Sequence, residues 1–581
     1  MVLLTDAGQE KQAPVKRLTT QTVEIAQDTT AIRSLDWDRD RFDIEFGLQN
    51  GTTYNSFLIR GEQIALVDTS HEKFRHLYFD ALTSLINLQD INYLIISHTE
   101  PDHSGLVKDL LQKAPDITVV GSKVAIQFLE DLVHQPFKRR IVKNGDRLSL
   151  GNGHELEFVI APNLHWPDTI FSFDHHTETL YTCDAFGMHY CSDSTFDDNL
   201  ATIEEDFKYY YDCLMGPNSR SVLSAIKRMA ELKHIKMIAT GHGPLLYHNV
   251  EELTGRYRTW SQSQTKAESV VGIFYLSEYG YSDRLAQSIA NGVMKTGLGV
   301  EMVDLGGAVD LQELRELVGR CKGLVLGMSP VSTTNSSMQA AVSTVLGSAT
   351  EKQAIGIFET GGGDDEPTYP LLNKFRAAGL MIGFPVIEIR ETPTENTYKK
   401  CEEAGTDLGQ LVTKEKSIKA MKSLGADLDK ALGRISGGLY IITAKKGGVS
   451  SAMLASWVSQ SSFKPLGFSI AVAKDRAIES LMQVGDRFVL NVLEEGNYQT
   501  LMKHFLKRFA PGADRFEGVK TQPAENGAPI LSDALAYMEC EVVSRMDCGD
   551  HWAVYSTVYA GRVSKPDSLT AVHHRKVGNH Y

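Results

Sequence analysis

Cysteine is scarce in this chain, and none of the cysteines stand in a C-x-x-C arrangement. The 581 residues include only 7 cysteines, all widely spaced. This excludes zinc ribbons and rubredoxin-type iron sites built on such pairs. An odd and sparse set favours a reducing compartment over a disulfide framework. The sequence also contains no G-x-G-x-x-G, which excludes a Rossmann-type nicotinamide site.

Long apolar runs and an excess of positive charge are also missing. The N-terminal segment holds an apolar run of only four residues, MVLL, which is too short for a secretory signal. No stretch of about 18 apolar residues is available to span a membrane. The formal net charge is −14, whereas binding to a phosphate backbone requires a basic face. These absences predict a cytoplasmic protein that has no transmembrane segment and binds no nucleic acid.

What the chain does contain is an alternation of strand and helix patterns that changes twice. Residues 30–262 mix short β-type runs with amphipathic helical stretches. Residues 268–412 repeat a strand–helix unit five times, the rhythm of a doubly wound parallel sheet of flavodoxin type. A charged helical stretch follows, and residues 429–581 are rich in β-type runs, which predicts a β-barrel. We therefore predict three domains with these bounds, of mixed α/β and β class.

Two histidines and two carboxylates crowd into HTEPDH, residues 98–103, directly after the apolar run INYLII. The carboxyl end of a buried strand is where open α/β folds place their chemistry. His165, Asp184 and His242 each follow another apolar run. A helix cap could explain HTEPDH alone, and a lone histidine is usually a turn residue, but neither explains six matches in order. Mixed imidazole and carboxylate ligands favour iron or manganese over zinc.

The order of these residues is that of the metallo-β-lactamase fold, and the pattern H-x-E-x-D-H … H … D … H resembles the flavodiiron proteins. The resemblance implies an αββα domain with a non-haem diiron centre and no catalytic residues beyond the ligands. His103 is not a ligand in that family, and His71, His175, His176 and His189 are interpreted as surface residues or as neighbours of the site. The implied ligands are His98, Glu100 and His165 for one iron, Asp102 and His242 for the other, and Asp184 as the bridge.

Three loops of the second region follow strands at the place where flavodoxins bind FMN. The first loop runs into a helix N-terminus, which is an anion site that needs no lysine. The third loop, ETGGGDDEP, lacks the aromatic residue that commonly stacks on the flavin ring. The predicted FMN contacts are Ser277, Tyr279, Gly280, Ser282, Ser329, Val331, Thr333, Asn335, Thr360, Gly361 and Gly362.

The third region resembles the split-barrel flavin reductases, which hold FMN or FAD and take hydride from NAD(P)H. In those reductases the nicotinamide stacks directly on the flavin, so no Rossmann motif is needed. The alternative places Trp457 in the core and leaves Lys474 and Arg476 as solvated charges. The implied contacts of this second flavin are Ser451, Ala452, Ser456, Trp457, Lys474 and Arg476.

Electron counting connects the three regions. Reduction of O₂ to two waters takes four electrons, of which a diferrous pair supplies two and a reduced FMN the other two. The reductase region would refill the FMN from NAD(P)H. This arrangement is similar to the fused flavodiiron proteins of oxygenic phototrophs such as cyanobacteria, and it implies an NAD(P)H:oxygen oxidoreductase that discards photosynthetic electrons. It also implies a head-to-tail dimer, either a homodimer or a pair with a paralogue.

Four alternatives remain at this point. Reduced ferredoxin could replace NAD(P)H as the donor, and NO could replace O₂ as the substrate. The chain could also be a non-catalytic regulatory partner in a hetero-oligomer. A zinc hydrolase of the same fold would have no use for two flavin domains, and Glu100 in place of a histidine ligand argues against it.

Overall fold

In the computed structural model, the chain forms two units. The first comprises residues 1–41, 48–211 and 224–256, and the second comprises residues 42–47, 212–223 and 257–581. The residues that the structure describes are 17–39, 41–42, 46–266, 270–276, 281–306, 310–328, 336–351, 353–360, 375, 379–423 and 426–574.

Two sheets form the centre of the first unit. The strands between residues 18 and 240 are β1 (Leu18–Ala26), β2 (Thr29–Asp36), β3 (Arg41–Phe42), β4 (Phe46–Gly47), β5 (Thr52–Arg60), β6 (Ile64–Val67), β7 (Ile91–Ile95), β8 (Thr118–Gly121), β9 (Lys138–Ile141), β10 (Arg147–Gly151), β11 (His154–Ile160), β12 (Ile170–Asp174), β13 (Thr179–Cys183) and β14 (Met237–Thr240). Of these, β4 and Phe42 of β3 belong to the second unit. One sheet has the order β1-β2-β5-β6-β7-β8-β9, the other the order β10-β11-β12-β13-β14, and β3 pairs with β4.

The two sheets share one hydrophobic core. Phe57 and Val67 of the first sheet pack with Phe158 and Tyr181 of the second. Because β2 and β5 lie inside the first sheet, with layers on both of its faces, the side chains of β2 are buried throughout. Both faces of β2 are therefore covered, although its sequence, TTAIRSLD, is largely polar.

Helices cover the outer side of the first sheet. Tyr78 and Leu82, from the helix at 75–85, pack there in one hydrophobic cluster. Leu110, from the helix at 107–113, and Leu129, from the helix at 123–133, belong to the same cluster. The helices between residues 75 and 265 are α1 (Arg75–Leu85), α2 (Pro101–Ser104), α3 (Val107–Lys113), α4 (Lys123–Val133), α5 (Leu200–Tyr210), α6 (Ser219–Met229) and α7 (Val250–Thr265). The first five belong to the first unit, whereas α6 and α7 each have residues in both units.

The second unit begins with a parallel sheet. Its elements are β15 (Val270–Tyr275), α8 (Ser282–Met294), β16 (Gly299–Asp304), α9 (Leu311–Arg320), β17 (Gly323–Met328), α10 (Ser336–Ser348), β18 (Ala354–Thr360), β19 (Met381–Ile382), β20 (Ile387–Ile389) and α11 (Glu395–Ser423). The order is β16-β15-β17-β18-β19, with β20 also paired to β18. Residues of α8 and α11 pack on one face of the sheet, and residues of α9 and α10 on the other. The predicted doubly wound sheet of flavodoxin type is confirmed.

The rest of the second unit is antiparallel. Its elements are α12 (Ala426–Leu432), β21 (Gly437–Gly438), β22 (Tyr440–Lys446), β23 (Val449–Ala455), β24 (Val458–Phe463), β25 (Leu466–Ala473), β26 (Arg487–Val492), α13 (Gln499–Leu506), β27 (Thr521–Pro523), β28 (Pro529–Leu531), β29 (Ala536–Asp547), β30 (His551–Val563) and β31 (Val572–His573). The main sheet has the order β23-β22-β26-β29-β30-β25-β24. Ile442, Met453, Ile470 and Val554 come from strands far apart in this order yet share one core. The sheet therefore wraps around its own interior, as the barrel prediction requires.

Candidate metal centre

The metal-ligand motif lies where β7 ends and the short helix α2 begins. Ser97 donates its backbone N–H to the Asp68 carboxylate at 2.8 Å, which fixes the start of the loop. His98 and His103 are fully buried. Gly241, at the end of β14, leaves the space that the His103 ring occupies, since a Cβ built on this glycine would lie 2.7 Å from His103 Cε1.

One group of side chains gathers around Glu100. His165 Nε2 lies 3.0 Å from Glu100 Oε2, and His98 Nε2 lies 3.2 Å from the same oxygen. Asp184 Oδ2 closes the group at 3.0 Å from His165 Nε2. The donor atoms of these four residues all lie within 4.8 Å of one another, which is the spread expected of ligands to one ion.

A second group lies on the other side of Asp184. His242 Nε2 lies 3.3 Å from Asp102 Oδ2 and 3.3 Å from Asp184 Oδ1. His103 Nε2 lies 2.9 Å from the same Asp184 oxygen and 3.1 Å from His242 Nε2. Asp184 thus directs one carboxylate oxygen to each group.

His103, which the resemblance implies is not a ligand, lies directly beside the predicted ligands. Its Nε2 atom faces Asp184 and His242, and it forms a potential metal-binding group with Asp102 and His242. No signal in the sequence shows whether the His103 ring faces the candidate ligands or points away from them. The direction of the ring depends on how the single turn of α2 is oriented. The structure therefore brings together seven candidate ligands, the six predicted ones and His103.

Hydrogen bonds from outside the two groups fix the orientation of two imidazoles. Asp168 is fully buried and accepts hydrogen bonds from Thr99 N at 2.8 Å and from Thr99 Oγ1 at 2.6 Å. The same carboxylate lies 3.2 Å from His98 Nδ1. His242 Nδ1 donates to the Thr53 carbonyl at 2.6 Å. With Nδ1 carrying the proton in both rings, Nε2 is left as the ligand atom. Sequence reasoning missed Asp168, although it stands only three residues after His165.

The charges of the cluster are interdependent. Burial alone would lower the pKa of the His165 imidazole, but the Glu100 carboxylate raises this pKa to about 10. Burial likewise opposes ionisation of Glu100, yet His165 lowers the pKa of that carboxyl to about 2. The carboxylates thus need cations beside them. Bound metal ions would supply the positive charge in place of the imidazole protons, which are released on binding.

Aromatic rings surround the cluster. The ring centroids of His98 and Trp166 are 5.1 Å apart, and those of Tyr54 and His242 are 5.6 Å apart. His189 is a buried neighbour of the cluster, because its ring lies 4.6 Å from that of His242.

The other three histidines that the sequence left without a role lie outside the two groups of candidate ligands. His71 lies beside Tyr54, with 5.5 Å between ring centroids and 47° between the ring planes. His175 Nε2 lies 2.8 Å from Glu157 Oε2, and His176 is exposed.

Two of the predicted FMN contacts are described, and they lie together. Ser282 is the first residue of α8, and its hydroxyl lies 3.4 Å from the Thr360 hydroxyl at the end of β18. Both are buried, at the edge of the sheet where flavodoxin-type folds bind ligands. The predicted contacts that lie outside the described residues are Ser277, Tyr279, Gly280, Ser329, Val331, Thr333, Asn335, Gly361 and Gly362.

The predicted contacts of the second flavin divide into two kinds. Ser451 on β23 and Ser456 after it are buried, and their hydroxyls have no hydrogen-bond partner among the described residues. Ala452 also lies on β23. Lys474 Nζ, in contrast, lies 2.8 Å from an Asp547 carboxylate oxygen, so its charge is already paired.

Trp457 and Arg476 lie in different surroundings. The Arg476 side chain is half exposed, with its Nε 3.8 Å from Asp475 Oδ1. The Trp457 ring lies 5.2 Å from the His551 ring. Sequence reasoning did not select His551, although it begins the long strand β30.

Comparisons with known proteins cover the whole chain. The ODP family beta lactamase model matches residues 52–243, and the flavin reductase like domain model matches residues 432–579. The chain is 83% identical to the putative diflavin flavoprotein A 3 of Nostoc sp. over 100% of both chains. It is 66% identical to diflavin flavoprotein A 1 of Synechocystis sp., over 98% of this chain and 99% of the relative.

A solved structure matches about two thirds of the chain. The metal-soaked Flv1 flavodiiron core from Synechocystis sp. is 36% identical, with a TM-score of 0.63, and the match covers 68% of this chain and 99% of that one. None of the helices in the described part of the chain combines the length and the hydropathy that crossing a bilayer requires.

Proposed function

The chain belongs to the flavodiiron family, in its diflavin branch with a C-terminal flavin reductase domain, and from this premise we propose that it is an NAD(P)H:oxygen oxidoreductase. The observation that carries the proposal is Asp184, whose two carboxylate oxygens face two separate groups of imidazoles and carboxylates. Two iron ions held there, together with a reduced FMN, would supply the four electrons that convert O₂ to water. The proposed role is an electron sink for photosynthesis in the cytoplasm.

Each part of the site has a proposed task. His98, Glu100 and His165 would hold one iron, Asp102 and His242 would hold the other together with the adjacent His103, and Asp184 would serve both. Each group combines two imidazoles with one carboxylate of its own and one oxygen of Asp184, a mixed set that suits iron. Asp168 and the Thr53 carbonyl keep the imidazoles in the tautomer that binds metal. The surrounding aromatic rings limit the access of water, which strengthens the electrostatic interactions inside.

Each of the two flavins has a proposed domain, chosen from the buried hydroxyl groups that the domain contains. We place FMN in a domain at residues 268–412, where Ser282 and Thr360 meet. A second flavin, FMN or FAD, belongs in a domain at residues 429–581, beside the buried hydroxyls of Ser451 and Ser456. The iron ligands belong to a domain at residues 30–262.

The activity is tested by its stoichiometry. The purified chain, loaded with iron and flavin, should consume two NAD(P)H for each O₂ and release no peroxide. Release of peroxide in proportion to NAD(P)H would contradict the proposal. If the reduced protein reacts with NO and not with O₂, NO is the substrate. If it reacts with neither, the chain is a non-catalytic partner. Faster reduction by reduced ferredoxin than by NAD(P)H would identify the alternative donor.

Metal analysis gives the first prediction. Protein produced with adequate iron should contain close to two iron ions per chain and little zinc, because three carboxylates in the ligand set favour the harder ion. Elemental analysis of the purified chain measures this directly. Two tightly held zinc ions that support hydrolysis of an ester or thioester would instead identify a hydrolase.

Asp168 gives the second prediction. Asp168→Asn keeps the size of the side chain but weakens the acceptor that faces His98 Nδ1. Partners of this kind typically contribute 10–100-fold to metal affinity, so we expect iron to be lost to a chelator about tenfold faster. The matched control is Asp174→Asn, since Asp174 is also a buried partner of an imidazole, at 2.8 Å from His154 Nδ1, but lies outside the cluster. Equal chelation rates in both variants would show that Asp168 does not orient a ligand.

The proposed head-to-tail dimer gives the third prediction. If the FMN of one chain serves the iron pair of another, a His98→Ala chain and a Gly280→Asp chain should complement each other. Each variant alone is inactive, while a co-expressed mixed dimer contains one interface with both sites intact. Dimers that are demonstrably mixed but do not reduce O₂ would mean that electrons pass within a single chain.

A further inference from the structure

Helix α11 lies between the flavodoxin-like part and the barrel of the second unit. One side of it belongs to the flavodoxin-like core, because Tyr398, Cys401, Ala404 and Leu408 pack in the cluster that also holds α8 and β15. These positions are three or four residues apart, the spacing of one helix face.

The other side of α11 contacts the barrel. Lys399 Nζ lies 2.5 Å from the Ser480 hydroxyl. Gln410 Nε2 donates to Asp475 Oδ2 at 2.8 Å. These contacts lie three turns apart on the helix, so a long stretch of its surface faces the barrel rather than solvent.

The loop after α13 adds three contacts to the same side. Glu403 accepts a hydrogen bond from Gly512 N at 2.9 Å, and its carboxylate pairs with Arg515 at 3.1 Å. Nearer the rim, Arg508 pairs with Asp407 at 3.1 Å.

A buried network of charges joins the two bodies at the centre of this contact. Lys295, the residue that ends α8, lies 2.5 Å from Glu402 of α11 and 2.7 Å from Glu479 of the barrel. Glu479 also pairs with Arg545 on β29. Lys399 pairs with Glu402 at 3.1 Å. Three cations therefore share two anions across the contact.

Most of these charges are hidden from solvent, whereas the Lys295 side chain is 22% exposed. Lys399 is 5% exposed, Glu402 3% and Glu479 6%. Charged residues are almost never buried to this degree unless they are paired. Burial opposes ionisation of Glu479, yet Lys295 and Arg545 hold the pKa of this carboxyl well below its ordinary value. A domain that swung freely on a tether would present solvated charges on this surface.

The contact also has a definite place on the flavodoxin-like sheet. Ile389 of β20 pairs with Thr360 at the end of β18, and α11 starts six residues after Ile389, so its first turn lies at the edge that carries the candidate FMN contacts. The turn between β22 and β23 lies against that first turn, since a Cβ built on Gly448 would be 3.4 Å from Asn396 Nδ2. Ser451, a candidate contact of the second flavin, follows three residues later.

We propose that α11 is a docking surface that holds the reductase barrel in one fixed orientation on the flavodoxin-like domain of the same chain, with Glu479 as the central contact. The barrel's flavin edge then faces the FMN edge permanently, and electrons pass between the flavins without a swing of the barrel. The inference goes beyond the proposed activity and does not depend on it, because the orientation can be measured without turnover.

Intrachain cross-linking in the full-length protein tests the orientation. Asn396→Cys and Gly448→Cys are combined with Cys548→Ser, which removes the exposed native thiol. On mild oxidation most chains should form a disulfide within one chain, identified by peptide mass, because the two positions already lie within reach. The single Asn396→Cys chain is the control. A low yield, no higher than that of random collision, would overturn the proposal.

Charge reversal tests the central contact. Glu479→Lys places a third positive charge beside Lys295 and Arg545, and we expect the cross-link yield to fall about tenfold because the repulsion opens the contact. Glu541→Lys is the matched control, since Glu541 lies in the same barrel and pairs with Arg487 at the surface. An undiminished yield in a folded Glu479→Lys chain would overturn the central role of this residue.

Locking tests the consequence for electron transfer. The oxidised Asn396→Cys/Gly448→Cys chain should reduce its FMN with NAD(P)H at the rate of the same chain kept reduced. Loss of this rate on locking, with hydride transfer to an added acceptor unchanged, would show that the barrel must move. The readout is separate from O₂ reduction, so an inactive iron site does not affect it.

Discussion

Replacing Asp184 by Ala should lower O₂ reduction by more than about 100-fold, since residues that only support a ligand already cost 10–100-fold. Asp184 is 1% exposed, and its two oxygens lie 3.0 Å from His165 Nε2 and 2.9 Å from His103 Nε2. Without this carboxylate the two groups share no residue, so two ions would lose both a ligand and their connection. Asp184 follows the last residue of β13 and lies outside the strand pairing, so the sheets should persist, and the flavin sites lie in later segments of the chain.

The measurement combines O₂ uptake with iron and flavin content. We expect iron to fall while flavin stays near the wild-type amount. Asp174→Ala is the control, because Asp174 is fully buried in β12 and has no contact with the cluster. If the Asp184→Ala chain keeps half of its activity or more, Asp184 is structural and the ligand assignment is wrong.

Ending the chain at Gly425 should abolish O₂ reduction driven by NAD(P)H while leaving the iron and FMN in place. The shortened chain retains α11 and lacks the whole barrel, which carries the proposed hydride-accepting flavin. A chemically reduced donor that reacts with FMN directly should still support O₂ reduction. The Flv1 flavodiiron core of Synechocystis sp., which matches 68% of this chain, shows that a core shorter than this chain has been solved as a folded unit.

The control for this truncation is the full-length chain with the same artificial donor. Equal rates in the two proteins would show that only the NAD(P)H step has been removed. Undiminished oxidation of NAD(P)H by the shortened chain would place the hydride site outside the barrel. The cut also exposes Lys295 and Glu402, so the shortened chain should depend more strongly on salt concentration than the full-length one.

The strands of this protein were accessible from sequence because most of them are buried and continuous. INYLII, AIGIFE and LGFSIAVA became β7, β18 and β25 almost without change. The ligand positions were accessible for the same reason, since each follows such a run. Patterns of this kind indicate where a strand ends, and the fold brings those ends to a common edge.

The direction of a side chain was not accessible in the same way. His103 lies inside a recognised motif, yet only the orientation of α2 brings its Nε2 to Asp184. Helix α11 shows the limit more generally. Its charges have the composition of a solvated surface, but Lys399 and Glu402 are buried. The hydrophobic periodicity of α11 identifies the face that packs on the sheet. It does not identify the polar contact with the barrel, because that contact depends on which charged residues of the barrel face the helix.

The candidate ligands come from both sheets of the sandwich. Those between positions 98 and 103 follow β7 of the first sheet, while His165, Asp184 and His242 follow strands of the second. The pocket for the ions therefore does not exist until segments more than a hundred residues apart have met. Iron would bind after folding and would then connect residues that follow strands of both sheets. Because a ligand that binds only the folded state stabilises it, scarcity of iron would shorten the lifetime of the protein as well as stop its chemistry.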